Sequence, residues 1–336
     1  MAQQPAALGE RVRVGVPHVD RLVHGRDATR RRFRRRGSGA DGTLEGVEIT
    51  DDVLAEAAPR LRAALTAAAL PSLRLTTAGE CAGDTAGTRL GGLPLLVAGT
   101  AWPCSPSGRA QCFLGQLNSD DVNARFGAAR LPAGTVLSFF YDWVEQRWGF
   151  DPADAGHWRV LATPVDGAVA VSGTADSFTA HAVTATVVRT VPDLGEPPVE
   201  PVRAVSGEAT RHHLPRHHGW ARGWNPVDAF YRATGAAAGV PVHRVFGWPD
   251  VLQGPMELEC QLAANGVRHG NPAGPERARV AELRPGAADW VLLWQIDTDD
   301  ALEWRWADAG RLYYWIRRRD LAAGAFERCW VVLQCP

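Results

Sequence analysis

The chain has 336 residues, 46% of them hydrophobic and 22% charged, with a formal net charge of −1. That is the composition of a globular protein with enough sequence for two domains or one large body, and no apolar run approaches the roughly 18 residues a membrane-spanning helix needs. All 36 basic residues are arginine, and ten fall before residue 37 against only Glu10, Asp20 and Asp27, so a basic tail precedes an acidic body.

Residues 1–50 read as an Arg-rich, partly disordered extension, because Gly37, Gly39, Gly42 and Gly46 break any apolar period. The run from Arg30 to Arg36 invites comparison with a twin-arginine export signal, but "GSGADGTLEG" stands where an apolar segment should follow. The chain is therefore expected to be cytoplasmic, with its six cysteines as reduced thiols. From Asp51 the stretch "DDVLAEAAPRLRAALTAAAL" predicts a helix that stops before Pro71. "SLRLTT", "CFLGQL", "TVLSFFYD", "HWRVLATPV" and "AHAVTATVVRTV" then read as strands, so residues 51–191 form a mostly β half. Residues 192–215 are a Pro-rich connector, and residues 216–336 form a second half. That half opens with a helix in "NPVDAFYRATGAAAG", where Asn225 is the N-cap and Pro226 takes the first helical position. "MELECQL" and "WVLLWQIDTDD" read as strands separated by a long loop over residues 263–288, and "RLYYWIRRRDL" and "CWVVLQC" close the chain.

The two halves say the same thing in the same order. "TRLGGLPLLVAG" at 88–99 aligns without a gap on "HRVFGWPDVLQG" at 243–254, placing Arg89 on Arg244, Gly92 on Gly247, Pro94 on Pro249 and Gly99 on Gly254. "FLGQLNSDD" aligns on "LLWQIDTDD", with Gln116 on Gln295, Asp120 on Asp299 and Asp121 on Asp300. "PAGTVLSFFYD" aligns on "DAGRLYYWIRR", with Ala133 on Ala309 and Gly134 on Gly310. Ordered matches of this kind predict an α+β protein of two duplicated, mostly antiparallel β half-domains with a few flanking helices.

With "RLGGLPLLVAGTAWP", "FLGQL" and "LPAGTVLSFFYD" in the first half, and "HRVFGWPDVLQGPMELECQL", "DWVLLWQIDTDD", "WADAGRLYYWIRRRDL" and "FERCWVVLQC" in the second, the sequence resembles the YwqG-like family, a bacterial domain of unknown function. The resemblance runs from about Asp51 to Cys335 and leaves out the Arg-rich extension. It implies an α+β fold of two related halves and no established reaction. Members occur near secreted-toxin systems, which by association implies a protective or protein-binding role.

The residues themselves show no G-x-S-x-G, Walker loop or G-x-G-x-x-G after a strand, so no catalytic residue is assigned. His212, His213, His217 and His218 lie in a polar tract without a Cys or carboxylate to complete a zinc site, so no metal or cofactor is expected. Asp120, Asp121, Asp297, Asp299 and Asp300 lack the Gly and terminal Glu of an EF-hand loop and read as turn and cap residues. Trp290, Trp294, Trp304, Trp306, Trp315 and Trp330 alternate as core residues of a sheet. Cys260 alternates as a buried strand residue. His243 and Gln253 flank the second Gly-x-Pro turn where the first has Thr88 and Ala98, and such divergence marks where one copy would retain a site. With Gln295 and Asp299 they form the candidate binding set. The expected function is a non-catalytic protein-binding module, protective against a toxin-like partner. The alternative is an enzyme or small-ligand-binding protein using a cleft between the halves. Nucleic acid is expected to make no more than weak contact through Arg30 to Arg36, and no membrane is involved.

Overall fold

Runs of β-branched and aromatic residues, punctuated by glycine, build most of this molecule from strands. The computed structural model describes residues 51, 59–173, 177–192, 240–270 and 275–336. All of them belong to one unit of the chain, residues 42–336. The Arg-rich extension, most of the Pro-rich connector, the four-histidine tract and the helix expected at 225–239 lie outside the described residues. Helix α1 (Pro59–Ala68) leads into β1 (Leu70–Glu80). The short strands β2 (Arg89–Leu90) and β3 (Leu95–Val97) follow, then β4 (Cys112–Asn118), α2 (Ser119–Phe126), β5 (Thr135–Tyr141), β6 (Trp158–Pro164), β7 (Ala168–Ala170) and β8 (His181–Thr190). After the connector come β9 (His243–Val245), α3 (Glu257–Ala263), α4 (Pro275–Leu283), β10 (Trp290–Asp297), β11 (Arg311–Arg317), α5 (Arg318–Ala322) and β12 (Trp330–Gln334).

Ten strands form one antiparallel sheet in the order β12-β11-β10-β9-β1-β8-β2-β4-β5-β6, and β3 pairs with β7 apart from it. Exchange β1, β2, β4, β5 and β6 with β8, β9, β10, β11 and β12, and the order reads the same from the other edge. The registers agree as well. Arg89 faces Gln116 across β2 and β4, and Arg244 faces Gln295 across β9 and β10. The β4–β5 ladder is interrupted between Phe113 and Gly115, and the β10–β11 ladder between Leu292 and Trp294. By strand order β8 corresponds to β1, so the set containing the second Gly-x-Pro turn begins earlier in the chain than the connector.

The sheet curls until its edges meet. Trp158 of β6 and Trp330 of β12 stack edge to face at 5.0 Å. Trp158 Nε1–H donates to the Cys329 carbonyl at 3.0 Å, and Trp330 Nε1–H to the Gly149 carbonyl at 2.7 Å. Across the interior, Phe139 of β5 packs on Trp294 of β10 and Tyr314 of β11, at 4.5 and 5.1 Å. The result is a nearly closed, barrel-like, mostly antiparallel sheet with few helices, in which curling protects edges that would otherwise be open to pairing. Trp290, Trp294, Trp304, Trp306, Trp315 and Trp330 are all buried in it. No helix among the described residues is long and apolar enough to cross a membrane.

Two expectations are corrected. "MELECQL" is helix α3, because Met256, Cys260 and Ala263 recur at helical spacing and are all buried, and Glu, Leu, Gln and Ala are good helix formers. The region expected as a loop over 263–288 contains α4 and a 3-10 turn, Arg284–Asp289. Helix α2 was not foreseen, although its signals are ordinary: Asn118 accepts the N–H groups of Asp120 and Asp121, and Gly127 closes the end in the left-handed region at φ 62°.

Both Gly-x-Pro turns need their glycine. Gly92 has φ +81° and Gly247 φ +74°, and a Cβ would lie 2.8 Å from the Gly83 oxygen in the first and 2.5 Å from Ser72 Cβ in the second. Gly92→Val and Gly247→Val are each expected to destabilise by about 2 kcal/mol or more, read from urea unfolding. Midpoints unchanged by either substitution would show that the turns tolerate a side chain.

Candidate functional site

Each Gly-x-Pro turn is organised by a buried arginine. In the first, Arg89 donates to the carbonyls of Gly91 and Leu93 and, at 3.2 Å, to Gln116 Oε1, with its guanidinium over the Phe113 ring. Burial lowers its pKa to about 10. Gln116 Nε2 donates to the Thr85 and Gly87 carbonyls. In the second, Arg244 pairs with Asp250. Gln295 accepts from the Asp250 N–H at 2.9 Å, and its Nε2 donates to the Val242 carbonyl and to Asp250 Oδ2. Tyr313 and Arg311 donate to the Asp250 carbonyl, and Arg311 Nε lies 3.0 Å from Asp297 Oδ2.

His243 and Asp299 belong to the same buried network. Nδ1 of His243 accepts the Asp297 N–H at 3.1 Å, which leaves the proton on Nε2 to donate to Asp299 Oδ2 at 3.2 Å. Asp299 Oδ1 accepts from the Ala301 N–H. Burial pushes the Asp299 carboxyl up, but the His243 hydrogen bond and the Ala301 N–H outweigh it and hold the carboxyl below its ordinary range. The first strand set makes the equivalent bond differently: Thr88 Oγ1 accepts the Asn118 N–H at 3.0 Å. Thr88 and His243 thus do one job, satisfying a strand N–H beside the turn.

Of the four candidate binding residues, the structure brings His243, Gln295 and Asp299 together at 1%, 0% and 4% exposure, where they hold backbone. Gln253 stands apart. It is exposed, its N–H donates to Gln334 Oε1, and it lies on the wall of a cleft of about 1310 Å³.

That cleft arises where the two strand sets differ most. Residues 100–110 link the first turn to β4, whereas residues 255–289, with α3 and α4, link the second to β10. In the first set Trp102 fills the space, packing edge-on against Phe140 at 5.3 Å beside Leu96 and Phe113. A hollow of about 120 Å³ remains there, lined by Gly92, Leu93, Trp102 and Phe113 among others. Gly247, Trp248 and Leu292, which correspond to Gly92, Leu93 and Phe113, instead line the large cleft with Trp315, which the ladders set on Phe140, one residue away from the sequence alignment of Ala133 on Ala309. Trp148, Phe150 and Trp290 add aromatic wall.

The cleft also holds charge that sequence reasoning missed. Glu257 and Glu259 of α3 line it, with His269 Nδ1 3.9 Å from Glu259 Oε2. Burial raises both carboxyls, Glu259 to about 7, and lowers His269. Reading "MELECQL" as a strand hid this pair. The helical spacing of Met256, Cys260 and Ala263, together with the long second linker, is the signal that finds it.

Asp142, Glu145 and His157 bring one ligand atom each within 4.8 Å of the others. Their donor capacity is committed: Asp142 accepts from the N–H groups of Val144 and Glu145 and contacts His157 Nδ1 at 3.2 Å, while Arg147 and Arg109 reach Glu145. The cluster fits a carboxylate–arginine network better than a cation site.

The family model described as Domain of unknown function (DUF1963) matches residues 88–335, and the chain belongs to that family. The match spans both Gly-x-Pro turns and every residue of the second linker. No curated protein matches the chain.

Removing the imidazole of His243 strands a buried carboxylate and the Asp297 N–H. His243→Ala is expected to cost about 1–3 kcal/mol in urea unfolding at pH 7. Because the folded Asp299 pKa is depressed, its contribution is present above the ordinary carboxylate range and is lost as pH falls through the folded value. Asp299→Asn should therefore flatten the acid limb of the stability curve, and an unchanged acid limb would remove Asp299 from this role.

Proposed function

We propose that this protein binds a small molecule with an apolar, ring-bearing body in the cleft between α3 and the Trp315 face of the sheet. One observation carries the reading: equivalent places in the two strand sets are packed shut by Trp102 in one and hollow over about 1310 Å³ in the other. Losing so much packing without a compensating ligand is costly, and a concave cleft walled by Trp148, Phe150, Phe246, Trp248, Trp290 and Trp315 beside polar groups is what small-molecule sites look like. The two strand sets are taken as products of an internal duplication, supported by the shared strand order, the matching ladder interruptions and the Arg–Gln pairing in each. On this view the second copy acquired its site when its linker lengthened. The finer likeness to the YwqG-like family rests on the motifs quoted above.

This chooses the small-ligand alternative over the toxin-protective protein-binding role expected from the sequence. Protein hot spots are enriched in Trp, Tyr and Arg. The exposed large hydrophobic residues among those described are Val97, Val144, Val169, Val187 and Val240, none of them aromatic.

Val291 lines the cleft from β10 and is partly buried, so Val291→Trp fills the hollow from a rigid wall. It is expected to weaken binding of an apolar fluorescent probe by about tenfold or more while the unfolding midpoint is retained. A folded Val291→Trp protein that binds the probe as the parent does would place the site elsewhere.

A further inference from the structure

Given that the cleft is a ligand site, we propose that its ligand is an organic cation, an ammonium group on an apolar body, seated with its charge against the Glu259 carboxyl, which Glu257, two residues away on the helix, does not share. Glu257 is the first residue of α3 and is 9% exposed, and Glu259 lies two residues on, partly buried. Among the described residues Glu259 has no arginine partner, and the base beside it is the His269 ring at 3.9 Å. A carboxyl drawn out of water without a counter-cation is costly unless protonated or paired.

The other charges around the cleft are placed differently. Arg130 lies over the Phe126 ring at 4.3 Å, Arg318 donates to the Ala288 carbonyl at 2.9 Å, and Arg284 is exposed at the rim of the 3-10 turn. From β10 the lining receives Trp290, Val291 and Leu292, and from β12 Leu333 and Gln334, all uncharged, while α4 gives it no residue among those described. On α3 itself the Cys260 thiol is buried, and burial raises its pKa, so it adds no charge beside the Glu259 carboxyl.

The rings complete the fit. Faces of Trp, Tyr and Phe attract cations, more strongly where water is excluded. One face of Trp290 is taken by the Arg317 guanidinium at 4.3 Å, so the contact falls to the other rings. Trp148, Trp248 and Trp315 line the same space. An ammonium entering there exchanges its hydration for a carboxylate and aromatic faces, and Glu259 loses its proton as it binds. Affinity for the cation must then rise with pH through the range in which Glu259 titrates, about 7.

Titration calorimetry on the full chain tests this with three probes of one shape and different charge: 1-naphthylmethylamine, 1-naphthalenemethanol and 1-naphthoate. At pH 8 the amine is expected to bind about tenfold more tightly than the alcohol, the equivalent of pulling a carboxyl pKa down by roughly one unit. That advantage should shrink below pH 6, and the heat of amine binding should vary with the buffer's ionisation enthalpy, reporting proton release. Glu259→Gln should abolish the advantage and leave the alcohol's affinity within about twofold. Equal binding of amine and alcohol overturns the cation and leaves the cleft as a ligand site. Tightest binding of naphthoate overturns it in favour of the arginine rim. Binding of none of the three overturns the cation and the ligand-binding reading together.

Discussion

A guanidinium buried beside a Gly-x-Pro turn is the constraint from which the rest of this architecture follows. Arg89 is 1% exposed and has converging carbonyls and a glutamine, rather than a carboxylate, around it. Such a charge is tolerable only if those oxygens are fixed, and fixing them forces the chain through positive φ at Gly91 and Gly92. In the second turn Phe246 and Gly247 take the same backbone path, and Asp250 neutralises Arg244 directly. Each turn ends its short strand at a defined place. The linker that leaves it is therefore delivered to the same point on the sheet, whatever its length.

That delivery explains why the asymmetry between the strand sets lies in the linkers. A short linker brings Trp102 down onto Phe140 and closes the space. A long one has to fold on itself, and its helices stand off from Leu292 and Trp315 to leave a wall rather than a plug. The carboxyls of α3 are then held in a partly dry place by a helix whose other face, Met256, Cys260 and Ala263, is anchored in the core. Their raised pKa values are a consequence of that anchoring. A helix free to rotate would turn its acids toward water.

Much of this was legible in the residues. Arg89 with Arg244 and Gln116 with Gln295 were aligned from sequence, and the structure pairs the same residues across β2–β4 and β9–β10. The strands "TVLSFFYD" and "HWRVLATPV" lie where their β-branched and aromatic runs between turn residues put them, and the clustered tryptophans are core. What failed did so for identifiable reasons. "MELECQL" is short, and a single Glu-Cys alternation mimics strand period where the longer Met256–Cys260–Ala263 spacing is decisive. His243 stood out because it differs from Thr88, yet both side chains accept the same strand N–H. Residue identity had changed while the hydrogen bond had not. Gln253 lies at the cleft, but the residues that give the cleft its chemistry sit in the linker with no counterpart, where comparison between the two strand sets is silent.

The account stands or falls on the hollow being occupied. Its most direct test is a crystal structure of the full chain grown with 1-naphthalenemethanol, a neutral probe that asks about the space without asking about charge. The account predicts one molecule in the cleft with its ring against Trp315 and Trp248, and none in the small hollow beside Trp102. A cleft without the compound, in crystals that hold it elsewhere on the protein, would contradict the account.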